Sequence, residues 1–428
     1  MYNVNELKHL LELELTERFE EGYDISGYKD KLRDINNRND LLKFYQELEK
    51  LKMRPNFPYI EPSSLSEIKS LRPSGPREIS FKLSDEELYR RILGGWIGRC
   101  AGCMLGKPVE GRTRKEIKEM LLRANAYPLR NYFLPEIIGR DNPLALGNIQ
   151  KVERDDDIDY TILNLSIVEK YGINFTTEDV GRTWLQKLPY LLVYTAERAA
   201  YRNLILGFKP PRTATFLNPY REWIGAQIRA DMWGYLCPGL PELAAELAFK
   251  DASLSHTKNG IYGEMFISAI IAASFAINDI EKVVEIGLSE IPSTCRLTEA
   301  VKRVLQWWKQ GLSWEEVLDK ITIDFSSYHP VHTINNATIV VAAILWSEGN
   351  YEKAITMAVM GGWDTDCNGA TVGSIMGVLN GIDGIPKKWY EPLNNIVSSA
   401  IVDFNFSKLD ELAKRTFKIT KKILQRTS

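Results

Sequence analysis

Gly361–Gly381 reads GGWDTDCNGATVGSIMGVLNG. Two carboxylates, Asp364 and Asp366, fall within three residues, and Gly369, Gly373, Gly377 and Gly381 then recur every fourth residue. That spacing puts the glycines on one face of a helix. An interior glycine costs a helix about 1 kcal/mol relative to alanine, so a glycine face points to close backbone contact with another element. The carboxylates precede that helix or open it, where free N–H groups and the dipole favour negative charge. Two carboxylates so close repel unless a cation lies between them, and a hard divalent ion suits an all-oxygen set. A capping aspartate beside an exposed neighbour would give the same pattern, so the rest of the chain has to decide.

The second glycine-spaced segment lies far upstream. Ser84-Asp85-Glu86-Glu87 is a capping-box signature. It opens LYRRILGGWIGRCAGCMLG, in which Gly94, Gly98, Gly102 and Gly106 are again four apart. Two such helices could pack closely together. Arg90, Arg91 and Arg99 exclude a membrane-type GxxxG span. Pro108 ends the helix and Glu110 follows. A third segment, VERDDDIDYTILNLSIVEKYG, carries Asp155, Asp156, Asp157 and Asp159 before an apolar face of Ile158, Ile162, Leu165 and Val168. It reads as an acidic N-terminus on a helix with a buried face. If the two Asp clusters converge, they require metal, with Mg²⁺, Mn²⁺ or Ca²⁺ ahead of zinc or copper. A solvated acidic turn is the alternative for 155–159.

The rest of the chain bounds these readings. Its 428 residues are 44% hydrophobic and 26% charged, with a net charge of −2. That gives no argument for nucleic acid or an anionic membrane. No run of about 18 apolar residues predicts a membrane span, and the N-terminus lacks the pattern of a signal peptide. Five irregularly spaced cysteines do not suit a disulfide framework. Reduced cytoplasmic thiols are expected, with Cys100 and Cys103 inside a helix rather than in a zinc or redox pair. Residues 1–53 read as short charged helices with Leu7, Leu10, Leu11 and Leu15 on one docking face. The Pro-rich stretch 54–80 reads as a linker. The expected division is a helical extension with its linker at 1–80 and a catalytic domain at 81–428. Residues 121–150 read as irregular and 207–221 as a loop. Further helices are expected at 178–206, 222–235, 240–250, 260–276, 279–290, 296–310, 314–323, 334–347, 351–359 and 407–425. With no alternating strand series, the fold class is all-α.

Together these segments resemble a known family. GGWDTDCNGA resembles the GGDTDTNGA signature of the ADP-ribosylglycohydrolases, DDDIDYT their TDDTxMT motif, and LGGWIGRCAGCMLGKPVEG their opening GALLGAAVGDALGxPVEG. The three occur in family order. The resemblance covers about 85–425 and implies an all-α fold, two Mg²⁺ ions with Mn²⁺ as a substitute, and cleavage at the ribose anomeric carbon of a free or protein-linked ADP-ribosyl group. By the same resemblance, Asp155, Asp156, Asp157, Asp364, Asp366 and Cys367 fall on metal-binding positions. Asp156, Asp157 and Glu110 are the candidates for proton transfer. Glu110, Gly225, Gln227 and His256 fall near the substrate, and Trp363, read for itself, either stacks on a substrate ring or fills a core gap. The chain departs from the pattern where Asp155 and Cys367 stand for Thr, Ile158 for Thr and Cys103 for Asp, and where Trp363 is inserted. Those departures leave open an N-glycosidase on a smaller nucleoside-like substrate, or a non-catalytic ADP-ribose-binding or structural relative. Several other residues have two readings each: His332 with Asn335 and Asn336 as cleft or structure, Arg198 and Arg202 as a phosphate clamp or surface ion pairs, and Asn259 and Tyr262 as ligand contacts or packing.

Overall fold

The computed structural model describes residues 2–427. Its regular structure is helical apart from one short antiparallel hairpin, Ile396–Ser398 with Phe406–Lys408, which the sequence pattern did not predict. The architecture is built around the two glycine helices, Asp85–Gly106 and Thr365–Asn380. The first starts at Ser84, whose hydroxyl accepts from the Glu87 N–H while the Glu87 carboxylate accepts from the Ser84 N–H. A Cβ added at Gly94, Gly98, Gly102 or Gly106 would collide with the carbonyl of Gly377, Gly373, Gly369 or Thr365 respectively. The pairing rises along one helix and falls along the other, so the two are antiparallel. Close backbone approach of this kind brings Cα–H groups against carbonyl oxygens. Gly381 is not part of the stripe. It ends the helix at φ 65°, a left-handed position that suits glycine.

Antiparallel packing has one consequence for the site. The C-terminal end of the first helix, with Lys107 and Glu110 just beyond it, lies against the N-terminal end of the second, which carries Asp364 and Asp366. Thr365 Oγ1 seals this end by donating to the Gly106 carbonyl at 2.8 Å. Around the pair stand the acidic helix Asp156–Tyr171 and the buried helices Lys258–Ser274 and Thr333–Trp346. They share one continuous apolar core.

Two expected helices differ. The stretch 178–206 is broken into Thr177–Lys187 and Thr195–Ile205, because Pro189 cannot continue the ladder. The stretch 222–235 opens as an irregular segment before the helix Asp231–Leu236. There the Ile224 N–H is taken by the Val331 carbonyl, and Trp223 pairs with His332. Tertiary hydrogen bonds override the local helix pattern.

Leu7, Leu10, Leu11 and Leu15 all face inward from the helix Val4–Glu20. They form a small second core with Leu32, Leu41, Phe44, Tyr45 and Leu48, closed by Leu217 from the main body. A charged seam lies alongside it: Arg221, buried, pairs with Glu14 and Glu21 and faces Glu17. Residues 54–80 run along the body and contain the short helix Leu65–Leu71. Glu61 binds Arg296, Arg72 and Arg77 bind the buried Glu290, and Ile68 enters the main core. Tyr262 donates to the Pro62 carbonyl and Asn259 bonds Glu61. Both residues therefore hold this strap in place, which is the packing reading.

Candidate active site

Five carboxylates, Glu110, Asp155, Asp157, Asp364 and Asp366, gather where the antiparallel helices bring their ends together. Asp364 is the cap residue of its helix, but its side chain makes no capping bond. Its backbone N–H instead points at Asn336 Oδ1, which also accepts from Asn368 Nδ2 at 2.8 Å. Oδ1 of Asp364 and Oδ1 of Asp366 are buried and have no hydrogen-bond partner. The Glu110 carboxylate comes within 4.8 Å of both.

Glu110 reaches them through a backbone clamp. The Trp363 N–H donates to the Arg112 carbonyl at 2.8 Å and the Gly111 N–H donates to the Trp363 carbonyl at 2.9 Å. Thr113 bridges to Gly362. Gly362 has φ 82°, and a Cβ there would strike the backbone of Thr113 and Arg114. Trp363 itself sits at φ 63°, an uncommon backbone state for an aromatic residue, held by these bonds. Its half-buried ring packs on the core edge.

On the other side Asp155 caps the acidic helix, accepting from the Asp157 N–H at 3.0 Å. Its second oxygen takes the Lys107 ammonium, which also donates to the Arg154 carbonyl at 2.9 Å. Asp157 is held by the buried Arg99, whose guanidinium reaches its Oδ1 at 3.1 Å and Asp231 Oδ2 at 2.7 Å. Asp156 is half-buried beside Asp155. Asp159 is drawn away from the cluster by Arg154 at 2.7 Å.

The electrostatics follow from crowding. Burial, then Asp364, Asp155, Glu110 and Asp157, push the Asp366 carboxyl well above the usual range. Burial raises Asp157 too, against the pull of Arg99. Burial and Asp155 raise Asp156. At the rim, the exposed Glu110 is raised by desolvation of its carboxyl and by Asp364 and Asp155. The Cys367 sulfur lies within 4.8 Å of carboxylate oxygens of Asp157 and Asp366, and burial beside those acids keeps it a thiol. Cys103 stands in the same way beside Asp155 and Asp157. All five cysteines are free and buried.

Not every expected residue joins this cluster. Gly225, Gln227 and His256 are sealed in a neighbouring buried network centred on Arg229, which pairs with Glu197 and Asp251. A Cβ on Gly225 would meet the Glu197 carboxylate. His256, 1% exposed, shares a hydrogen bond with Ser255 at 2.8 Å and is kept neutral by burial and Arg229. Gln227 is fully buried and its amide has no partner. Of the residues expected near the substrate, Glu110 and Trp363 alone keep surface at the site. Arg198 and Arg202 are neither clamp nor surface ion pairs. Arg198 donates to the carbonyls of Val193 and Leu191, and Arg202 to those of Phe216 and Leu217. His332 is structural, capping its helix by accepting from the Ile334 N–H at 3.1 Å.

Sequence reading missed Lys107 and Arg99. Lys107 lay within the quoted LGKPVEG, and a lysine beside an acidic site was the available signal. In the sequence Arg99 reads only as a charge that interrupts an apolar helix.

The model of the ADP-ribosylglycohydrolase family matches residues 84–425, from the cap of the first glycine helix almost to the end of the chain. The chain belongs to the ADP-ribosylglycohydrolase family. No curated protein matches it in sequence. Among solved structures it is similar to a chain of an ADP-ribosylglycohydrolase-related protein complex, with 17% identity, a TM-score of 0.49, and coverage of 78% of this chain and 99% of that one. As an ADP-ribosylglycohydrolase-like hydrolase, it carries acidic groups that could hold a metal ion. Among the described residues no helix is long and apolar enough to cross a membrane.

Proposed function

We propose that this protein is a divalent-cation-dependent glycoside hydrolase that cleaves the bond at the ribose anomeric carbon of an ADP-ribosyl group. The observation that carries the reading is the grouping of Glu110, Asp364 and Asp366, with two buried carboxylate oxygens that no protein group satisfies. A buried, unpaired carboxylate oxygen is costly. An all-oxygen donor set suits Mg²⁺ or Mn²⁺. These three residues would hold such an ion, which would supply positive charge to orient ribose hydroxyls and a water.

The chain's own groups do the rest. Glu110, exposed at the rim, has a second carboxylate oxygen with which to move a proton while the first faces the ion. Asp156, half-buried beside Asp155, is the second candidate. In the net reaction water adds across the glycosidic bond: its oxygen bonds to the anomeric carbon and a proton goes to the departing group. Positive charge developing on the ribose ring faces the surrounding carboxylates, which stabilise it. Trp363 offers a ring face beside the site for stacking on the substrate.

Release of ADP-ribose from ADP-ribosylated arginine and serine substrates tests this reading, with and without Mg²⁺ in chelator-stripped protein. Glu110→Gln should lower kcat on the order of 10²-fold or more. Turnover that persists undiminished in chelator, or no turnover on any ADP-ribosyl substrate, would overturn it.

A further inference from the structure

The acidic groups fall into unlike sets. The set Cys103, Asp155 and Asp157 includes two carboxylates already engaged by protein cations, Asp155 by Lys107 and Asp157 by Arg99. The set Asp157, Asp366 and Cys367 again depends on the Arg99-bound Asp157. Only in the set Glu110, Asp364 and Asp366 does no ion pair join a carboxylate to a described lysine or arginine. The partnerless oxygens of Asp364 and Asp366, each residue 5% exposed, belong to that set.

We propose that the centre takes one divalent cation, at Glu110, Asp364 and Asp366, and that the Lys107 ammonium is its fixed second cation, held on Asp155. This rests on the cation-dependent reading above and deepens it. Lys107 is positioned for the role by the fold. It follows the last glycine of the first helix, so the backbone contact of Gly106 with Thr365 sets where its side chain begins. Its ammonium is then anchored at two points, Asp155 and the Arg154 carbonyl. Both Asp155 oxygens are used, one by Lys107 and one by the Asp157 N–H. A second divalent ion at Asp155 would have to displace an ammonium from its carboxylate or sit against it as a like charge. In that grouping Asp157 is already held by Arg99, and the third member, the Cys103 sulfur, is a poor donor to Mg²⁺. Lys107 is thus a positioning residue, fixing Asp155 and with it the start of the acidic helix. A single mobile ion leaves the cluster net negative, which suits a ribosyl centre that gains positive charge.

Mn²⁺ binding to the chelator-stripped full chain, followed by calorimetry and electron paramagnetic resonance, tests this. The wild type should bind one Mn²⁺ per chain and show no Mn–Mn spin coupling. Lys107→Met should bind a second ion and show that coupling. Lys107→Arg, which keeps the charge, should bind one. Two comparable ions in the wild type would overturn this inference and leave the cation-dependent reading standing. A folded Lys107→Met that still binds one ion would also overturn it, as would a second ion in Lys107→Arg. The wild-type stoichiometry decides even if a variant does not fold. Absence of Mn²⁺ binding in the wild type would overturn both readings.

Discussion

Gly98 and Gly373 meet backbone to backbone: a Cβ on either would overlap the carbonyl of the other. This contact, repeated at Gly94–Gly377 and Gly102–Gly369, holds the two helices at a separation that a side chain would not permit. Alanine at Gly98 or Gly373 must push backbone, not a flexible side chain. Each variant should lose about 1–3 kcal/mol or more in urea or thermal unfolding, despite alanine's better helix propensity. Wild-type stability in both would refute the contact.

Stability of the metal-free protein should fall with rising pH. Burial raises the Asp364 and Asp366 carboxyls in the folded state above their ordinary value of 3.8. A raised carboxyl stabilises the fold while protonated in both states. That contribution is lost as pH climbs from about 3.8 through the higher folded value. Asp364→Asn with Asp366→Asn should flatten the dependence and make the apo protein more stable at neutral pH. Mg²⁺ should raise the thermal midpoint of the wild type and not of the double variant. Melting curves across pH, with and without Mg²⁺, check all three outcomes.

The N-terminal helix carries its own pH dependence. Burial and then Glu222 raise Glu20 from 4.5 to about 8, while Arg296 and Arg221 oppose the shift and Glu21 adds to it. Its Oε2 lies 3.8 Å from His332 Nε2, and His332 itself is kept neutral by burial. Stability from protonated Glu20 is present below 4.5 and is lost between 4.5 and about 8. Glu20→Gln should remove this loss, on the order of a few kcal/mol by pH 8. Amide exchange in Val4–Glu20 should therefore rise from pH 6 to pH 8.5 in the wild type more than in the variant, after correction for intrinsic rates. Equal changes would remove Glu20 as the cause.

Arg221 closes the seam between that helix and the body. Removing its guanidinium leaves buried Glu14 to Arg18 and buried Glu21 to Lys258, and takes from buried Glu17 the cation it faces. Arg221→Met should cost roughly 3–5 kcal/mol, because a buried charge that loses its partner is left uncompensated. Proteolysis within the first 53 residues should speed up before the main body is cut. A variant with native protection there would show that the small apolar core alone holds the extension.

Cys367 brings sulfur to within 4.8 Å of Asp157 and Asp366 oxygens. Magnesium gains little from a thiol, whereas threonine offers a neutral oxygen. With the ion held by Glu110, Asp364 and Asp366, Cys367→Thr should leave the Mg²⁺ to Mn²⁺ activity ratio unchanged and cost about 1–3 kcal/mol of stability, because the new hydroxyl is buried without a partner. A clear shift of the ratio toward Mg²⁺ would show that the sulfur faces the ion.

Much of this protein was legible in its sequence because the signals are local and periodic. Four-residue glycine spacing announced two helices needing a close partner, and a capping box marked where the first begins. Asp155 before an apolar 3.6-residue rhythm marked the acidic helix, and the leucine face of the first helix turned inward as its spacing implied. The order of the three motifs matched the family now shown. Spacing along one strip of chain could not say which glycine faces which carbonyl, and it counted Gly381 on a stripe that it terminates. Nor could it show that Arg99 and Lys107 would fold back onto Asp157 and Asp155, since those ion pairs form only after helices more than forty residues apart have packed. The same limit hid the burial of Gly225, Gln227 and His256 around Arg229. Local hydrogen bonds and hydrophobic rhythm are written residue by residue. The balance of charge in a buried site depends on which helix ends meet, and that was decided by the antiparallel packing of two glycine faces.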